Sequence, residues 1–386
     1  MQQGHLTSGP RPGPFSDHGD APRRGRGLRR GLAVLGGLAM AGAAYSALWY
    51  GASRALGQGI DGWSAQRRAE GFDVVHGQPR IDGFPFLVRA TVDSPALAAP
   101  EAQGGWRWAG ERLFVEGRPW NWTRLTLRAP GAQRIAVPWQ GRTTEFTGSA
   151  TRLAVDLTLS GGMAIAMDAM AEGVALAAVE PRLDLAAKRA HLVLERRTDG
   201  KSQAGLRLET VGLDLPNGSF DLPLGRHVED LAFVAELTGP LPATLAYAPL
   251  LAWRDEGGTV EVGSLAVVYG PLALRANGTL ALDGRMQPIG SFAAQAEGFF
   301  ETLAVLERRG LVQPRDAATV KLVMGALAKR PDGGGKPVLE FPLSLQERRI
   351  FAGPVPLIKL EPVVWPGTPA GTWGAPGPAP VREERL

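Results

Sequence analysis

The 386 residues contain no cysteine, so thiolate zinc sites, cysteine nucleophiles and disulfides are all excluded. The formal net charge is +4, and the first thirty residues account for all of it, with six arginines against two aspartates. The remaining chain is neutral, which gives no support to a nucleic-acid-binding face.

Residues 1–27 are rich in Gly, Pro, Ser and Arg, lack apolar periodicity, and read as a disordered cytoplasmic tail. Residues 28–50 form the anchor. Within them Gly31 to Tyr50 is uncharged, and twenty helical residues span about 30 Å, the thickness of a bilayer's hydrocarbon core. Arg29 and Arg30 stand at its start, the next charge is Arg54, and Trp49 and Tyr50 close it with two interfacial rings. That charge asymmetry predicts a single-pass inner-membrane protein with its N-terminus in the cytoplasm and its body in the periplasm. A secretory signal cleaved after Ala43 is the competing reading, and it too exports everything from residue 51 onward.

Residues 51–365 read as one antiparallel β-rich body. Trp63 to Glu70 is a short helix candidate closed by Gly71, and Gly57 to Gly62 matches Gly-x-Gly-x-x-Gly. That motif follows a membrane helix rather than a strand, so it reads as a hinge and not as a phosphate cradle. From Phe72 the period becomes two. Gly77-Gln78-Pro79 is a turn, and Gly83-Phe84-Pro85-Phe86 fits a sheet edge. Leu153, Val155, Leu157 and Leu159 alternate with polar or small residues, the clearest one-face-buried strand.

Further strands are expected around Leu192, Leu206, Leu231 to Leu237 and Val260 to Tyr269. Asn277-Gly278 signals a type I′ hairpin, with Asp283-Gly284 closing its second strand. Phe299, Leu303 and Leu306, then Val320, Val323, Met324 and Leu327, recur at helical spacing and predict a helical hairpin over 298–329. A Gly-Pro phrase ends strands at Gly239, Gly270 and Gly353. Residues 366–386 read as a disordered Pro/Gly-rich tail. The fold class is therefore mainly β (α+β), a long curved antiparallel sheet behind one transmembrane helix.

No catalytic, cofactor or metal constellation emerges. His76, His191 and His227 are isolated, and Asp82 and Asp255-Glu256 read as solvated turn residues. The sequons at Asn121, Asn217 and Asn277 matter only in a glycosylating pathway. Trp106, Trp108, Trp120, Trp122 and Trp139 crowd one stretch; they are either sheet packing or an amphipathic surface for lipid or a partner.

The anchor, Gly83-Phe84-Pro85-Phe86, the Trp120 to Pro138 stretch, Asn277-Gly278, Asp283-Gly284 and Gly353-Pro354-Val355-Pro356 together resemble domain of unknown function 2125. This is an uncharacterised envelope family of Gram-negative bacteria, and the resemblance runs from about Ala44 to Glu361. It implies no activity and no catalytic residues. A fainter architectural likeness is to AsmA-like envelope proteins, which implies lipid as a partner. The leading expectation is a non-enzymatic lipid-binding or lipid-shielding factor for envelope maintenance. The alternative is an anchored scaffold for envelope protein partners. A hydrolase built from scattered residues would need His191 or His227 beside a carboxylate in a pocket.

Overall fold

The computed structural model describes residues 24–139, 142–180, 182–197, 202–216, 223–242, 244–330 and 335–369. It divides into two units, Met1–Tyr50 and Gly51–Leu386. Helix α1 (Arg24–Ala69) contains the apolar run, and over Leu32–Ala69 it is long and apolar enough to cross a membrane. Two expectations are corrected here. Trp63 to Glu70 is the end of α1 rather than a separate helix, and Gly57 to Gly62 is helical rather than a hinge. Three glycines with no proline leave the backbone ladder intact, so packing decides the conformation.

The C-terminal end of α1 follows from Gly71, whose φ of +89° only glycine adopts freely. Gly71 N–H donates to Arg68 O at 3.0 Å and Phe72 N–H to Arg67 O at 3.0 Å, the Schellman pairing. Arg67 also lies over the Phe72 ring at 5.8 Å, and Phe72 meets Trp106 edge-on at 6.2 Å.

Among the described residues the second unit is built on one sheet of twenty strands, antiparallel at every pairing. The first ten strands are short: β1 (Asp73–Val75), β2 (Arg80–Asp82), β3 (Val88–Asp93), β4 (Ala96–Ala98), β5 (Arg107–Gly110), β6 (Arg112–Arg118), β7 (Asn121–Arg128), β8 (Gln133–Trp139), β9 (Arg142–Ser149) and β10 (Arg152–Ser160). They form two ribbons, β2-β3-β6-β7-β10 and β1-β4-β5-β8-β9. Both ribbons end on β11 (Met163–Ala178). β10 pairs with its first part and β9 with its last.

Consecutive short strands are therefore halves of longer ones, broken along one line. Pro79, Pro95 and Pro130 fall in these breaks, where a missing donor costs no ladder bond. In β11 the line crosses Gly173 at φ +58°, where a Cβ would stand 2.3 Å from Thr151 Oγ1. On the same line Asp93 accepts from Arg80 at 2.6 Å and Arg112 at 3.3 Å. The Arg80 hydrogen bond, then charge and the Arg112 bond, hold its carboxyl below the ordinary range. A depressed folded-state pKa stabilises the fold at neutral pH and is lost as pH falls through it. Arg80→Ala is expected to shift the Asp93 titration back up toward ordinary values, read from carboxyl carbon chemical shifts of labelled aspartates.

Beyond β11 the sheet is a simple meander: β12 (Leu183–Arg196), β13 (Ser202–Asp214), β14 (His227–Thr238), β15 (Val260–Tyr269), β16 (Leu272–Leu282), β17 (Pro288–Glu297), β18 (Leu339–Gln346), β19 (Arg349–Ala352) and β20 (Val355–Lys359). The recurring Gly-Pro phrase closes two of its hairpins. Gly270 and Gly353 both have φ +56° and a following proline, the type II′ arrangement.

Asn277-Gly278 is not a turn. It lies inside β16, paired with Ala293 and Phe292, because a Cβ at 278 would stand 2.1 Å from Ser291 O. The true turn is Asp283–Gln287, whose Asp283 carboxylate accepts from the N–H groups of Arg285 and Gln287 at 2.8 and 2.7 Å.

Among the described residues three α-helices interrupt the meander. α2 (Tyr247–Asp255) follows β14; α3 (Phe299–Arg308) and α4 (Pro314–Leu327) follow β17 as the expected helical hairpin, tied by Lys321 to Glu307 at 3.1 Å. α2 was not among the helices expected from the sequence. It buries Leu250 and Trp253 with Met286 against Val260, Leu282 and Trp365. The chain then runs Val363 past Gln287 (N–H to Oε1, 2.9 Å), and Trp365 Nε1 donates to Met286 O at 2.7 Å.

Candidate functional site

Cross-strand register turns local alternation into one surface. Starting at the β2 edge, Ile81 pairs with Ala90, then Val115, Leu127, Val155 and Ala169 on successive strands. The same row continues through Leu192, Leu208, Phe233, Leu265, Ala276 and Ala294 to Phe341. Thirteen strands contribute, and every member is apolar. A bulge between Val262 and Leu265 keeps β15 in phase. The row one pleat away runs from Val88 to Leu343 and is equally apolar, with glycine at 117 and 278.

The intervening row belongs to the other face, and its chemistry is opposite. Arg89, Glu116, Thr126, Asp156 and Asp168 are register neighbours there. Arg89 Nε donates to Glu116 Oε1 at 2.7 Å, and Arg128 reaches the same buried carboxylate at 3.3 Å. From β3 to β11 the sheet is amphipathic; farther on, the same row of the opposite face is mixed, with Val193, Arg207 and Val234.

The apolar face is covered unevenly. Val88, Ala90 and Val115 at one end, and Ala276 and Ala294 near the other, are buried. Leu127, Val155, Leu192, Leu208, Phe233 and Leu265 between them are only half-buried, and Leu194 is 39% exposed. Along its rim α2 packs Trp253 and Leu250 onto Val260 and Leu282. One row in, Thr210 lies between Ala190 and Leu231, buried, with a hydroxyl that has no hydrogen-bond partner among the described residues.

The predicted site residues are placed as follows. Trp49 is half-buried and Tyr50 58% exposed in α1; Arg29 and Arg30 lie in the same helix, and their side chains are outside the described residues. The tryptophans do not form one cluster. Trp106 and Trp108 belong to the β5 ribbon, with Trp108 Nε1 donating to Gln133 Oε1 at 3.0 Å. Trp120 and Trp122 sit at the β6–β7 turn of the other ribbon, Trp120 being exposed, and the Trp139 side chain is outside the described residues. Neighbourhood in sequence was split by the break line between the ribbons.

His191 does meet a carboxylate, Asp168 at 2.8 Å, and His227 meets Asp214 at 2.7 Å. Both are open cross-strand pairs. Neither lines the 360 Å³ cleft beside Trp108 or the 960 Å³ cleft over Arg275, Gln295 and Glu340. His76 Nε2 instead shares a 2.9 Å hydrogen bond with Ser64 at the α1 packing surface. Among the described residues no group of three His, Asp or Glu side chains is arranged to hold a metal. Tyr269 is used structurally: its hydroxyl donates to Gly225 O and accepts from Leu224 N–H at 3.2 Å, and burial raises its pKa.

These features define a protein with an N-terminal apolar helix and a wide, open antiparallel sheet. The chain belongs to the family described as an uncharacterized protein conserved in bacteria (DUF2125), whose model matches residues 49–361. No curated protein and no solved structure matches it.

Proposed function

We propose that this is a membrane-anchored, non-enzymatic envelope protein that shelters lipid acyl chains along the apolar face of its sheet. The observation that carries the reading is the unbroken apolar row from Ile81 to Phe341, half-buried through its middle. A monomer rarely leaves so continuous an apolar surface without a ligand or partner for it. Acyl chains suit it because the row offers no directional hydrogen bonding, and each sheltered CH₂ contributes about 0.8 kcal/mol. In this reading α1 crosses the inner membrane, the body is periplasmic, and α2 closes one margin of the face.

The test is photo-crosslinking of the full chain in intact cells, with benzoylphenylalanine placed at Leu194, Leu208 or Phe233. Control sites are Val193, Arg207 and Val234, which register places on the opposite face. Lipid adducts confined to the first set are expected. Protein adducts from those positions would replace lipid handling with an interaction scaffold, and equal labelling of both faces would overturn the reading.

A further inference from the structure

The loop end of the β2-β3-β6-β7-β10 ribbon gathers large apolar side chains in water. Val88 pairs with Gly117, Arg118 with Asn121, Thr158 with Arg124 and Ser160 with Met163, so three connections share this end. They carry Phe84 (55% exposed) and Phe86 (75%), Trp120 (55%) and Met163 (62%). Arg118 and Arg124 are exposed on the two strands that flank the Trp120 turn and make no ion pair among the described residues. Aromatic rings interleaved with free arginines are the composition of a membrane–water interface.

The packing of α1 gives this end a direction. His76 lies against Ser64, and a Cβ built at Gly57 would be 3.5 Å from Ile81 Cδ1. From His76 to Ile81 the chain thus runs back along seven helical residues, about 10 Å, toward Gly51. Asp82 ends β2, and Gly83, at φ +104°, leads into the turn that begins at Phe84 and closes with Leu87 N–H donating to Gly83 O at 3.0 Å. Ile81, three residues before Phe84, thus packs on α1 at Gly57, fewer than two helical turns after Gly51.

We propose that this end of the sheet docks on the bilayer crossed by α1. Phe84, Phe86, Trp120 and Met163 enter the headgroup–acyl boundary, and Arg118 and Arg124 pair with anionic headgroup phosphates. The docking is a second contact with the membrane, independent of the helix, and fixes how the body stands on it. It rests on the reading that α1 is membrane-spanning.

The chain's lack of cysteine makes the test direct. Single variants Phe86→Cys, Trp120→Cys, Val179→Cys and Ala43→Cys of the full chain are labelled with an environment-sensitive fluorophore. Each is reconstituted in phosphatidylethanolamine–phosphatidylglycerol vesicles containing spin-labelled lipid. Val179, 85% exposed at the other end of β11, is the control for the body, and Ala43 reports the span. Blue-shifted emission and its loss to a headgroup-proximal quencher are expected at 86 and 120, but not at 179. Deep quenching at 43 with 86 and 120 no more quenched than 179 would overturn the docking alone. Absence of quenching at 43 would overturn the spanning reading and the docking with it. Arg118→Glu with Arg124→Glu is expected to reduce quenching at 86; an unchanged signal would remove the arginines from the proposal.

Discussion

Gly278→Ala is expected to destabilise the protein by about 1–3 kcal/mol or more, the range for forcing volume into a packed site. The added Cβ would stand 2.1 Å from Ser291 O and 2.7 Å from Phe292 Cα, both backbone atoms of β17, so no rotamer change relieves it. β17 would have to move, and it is held on its other edge by β18 from Gly290 to Ala296. Gly284→Ala, in the turn itself, meets nothing within 4 Å and is expected to fall within about 0.5 kcal/mol of the parent. Urea unfolding of the full chain in non-ionic detergent checks both. Were Asn277-Gly278 a hairpin turn, the ranking would reverse.

That reversal shows where local signals end. Asn-Gly is the strongest short-range hairpin pair, yet in β16 it is overruled by the close approach of a neighbouring strand, which no local rule sees. Short-range features fared better. The apolar run of α1, the alternation of Leu153 to Leu159, the Gly-Pro loops at 270 and 353, and the helix pair after Gly298 are all set by residues within a few positions of each other. α2 escaped because Tyr247–Asp255 is short and carries Pro249 in its first turn; the spacing of Leu250 and Trp253 was its one signal. The break line also escaped, since Pro79, Pro95, Pro130 and Gly173 align only after the strands pair. The candidate site is the same kind of case. Each strand's alternation is legible, but a one-residue slip would turn its apolar set to the opposite face, so only register assembles the row from Ile81 to Phe341. The tryptophans, close in sequence, were divided between two ribbons by that same register.

Arg89 and Glu116 should respond unequally to truncation. Glu116 is buried on the polar face, its side chain 7% exposed, whereas Arg89 and Arg128 are 35% and 55% exposed. Arg89→Leu leaves a carboxylate in place with only the 3.3 Å contact to Arg128, and an under-compensated buried charge costs about 3 kcal/mol or more. Glu116→Leu removes the buried charge itself; both arginines then turn to water, and a cost nearer 1 kcal/mol is expected, as for loss of a partly exposed pair. The double variant should lie close to Glu116→Leu alone, a coupling that a double-mutant cycle in urea unfolding measures directly. Arg89 also faces Asp82 on β2 at 3.9 Å and stands 5.5 Å from the Phe114 ring. Its loss therefore loosens the strand that leads into Phe84 and Phe86, and Arg89→Leu is expected to weaken fluorophore quenching at position 86 as well as stability. Glu116→Leu, which keeps Arg89 beside Asp82, should leave that quenching in place.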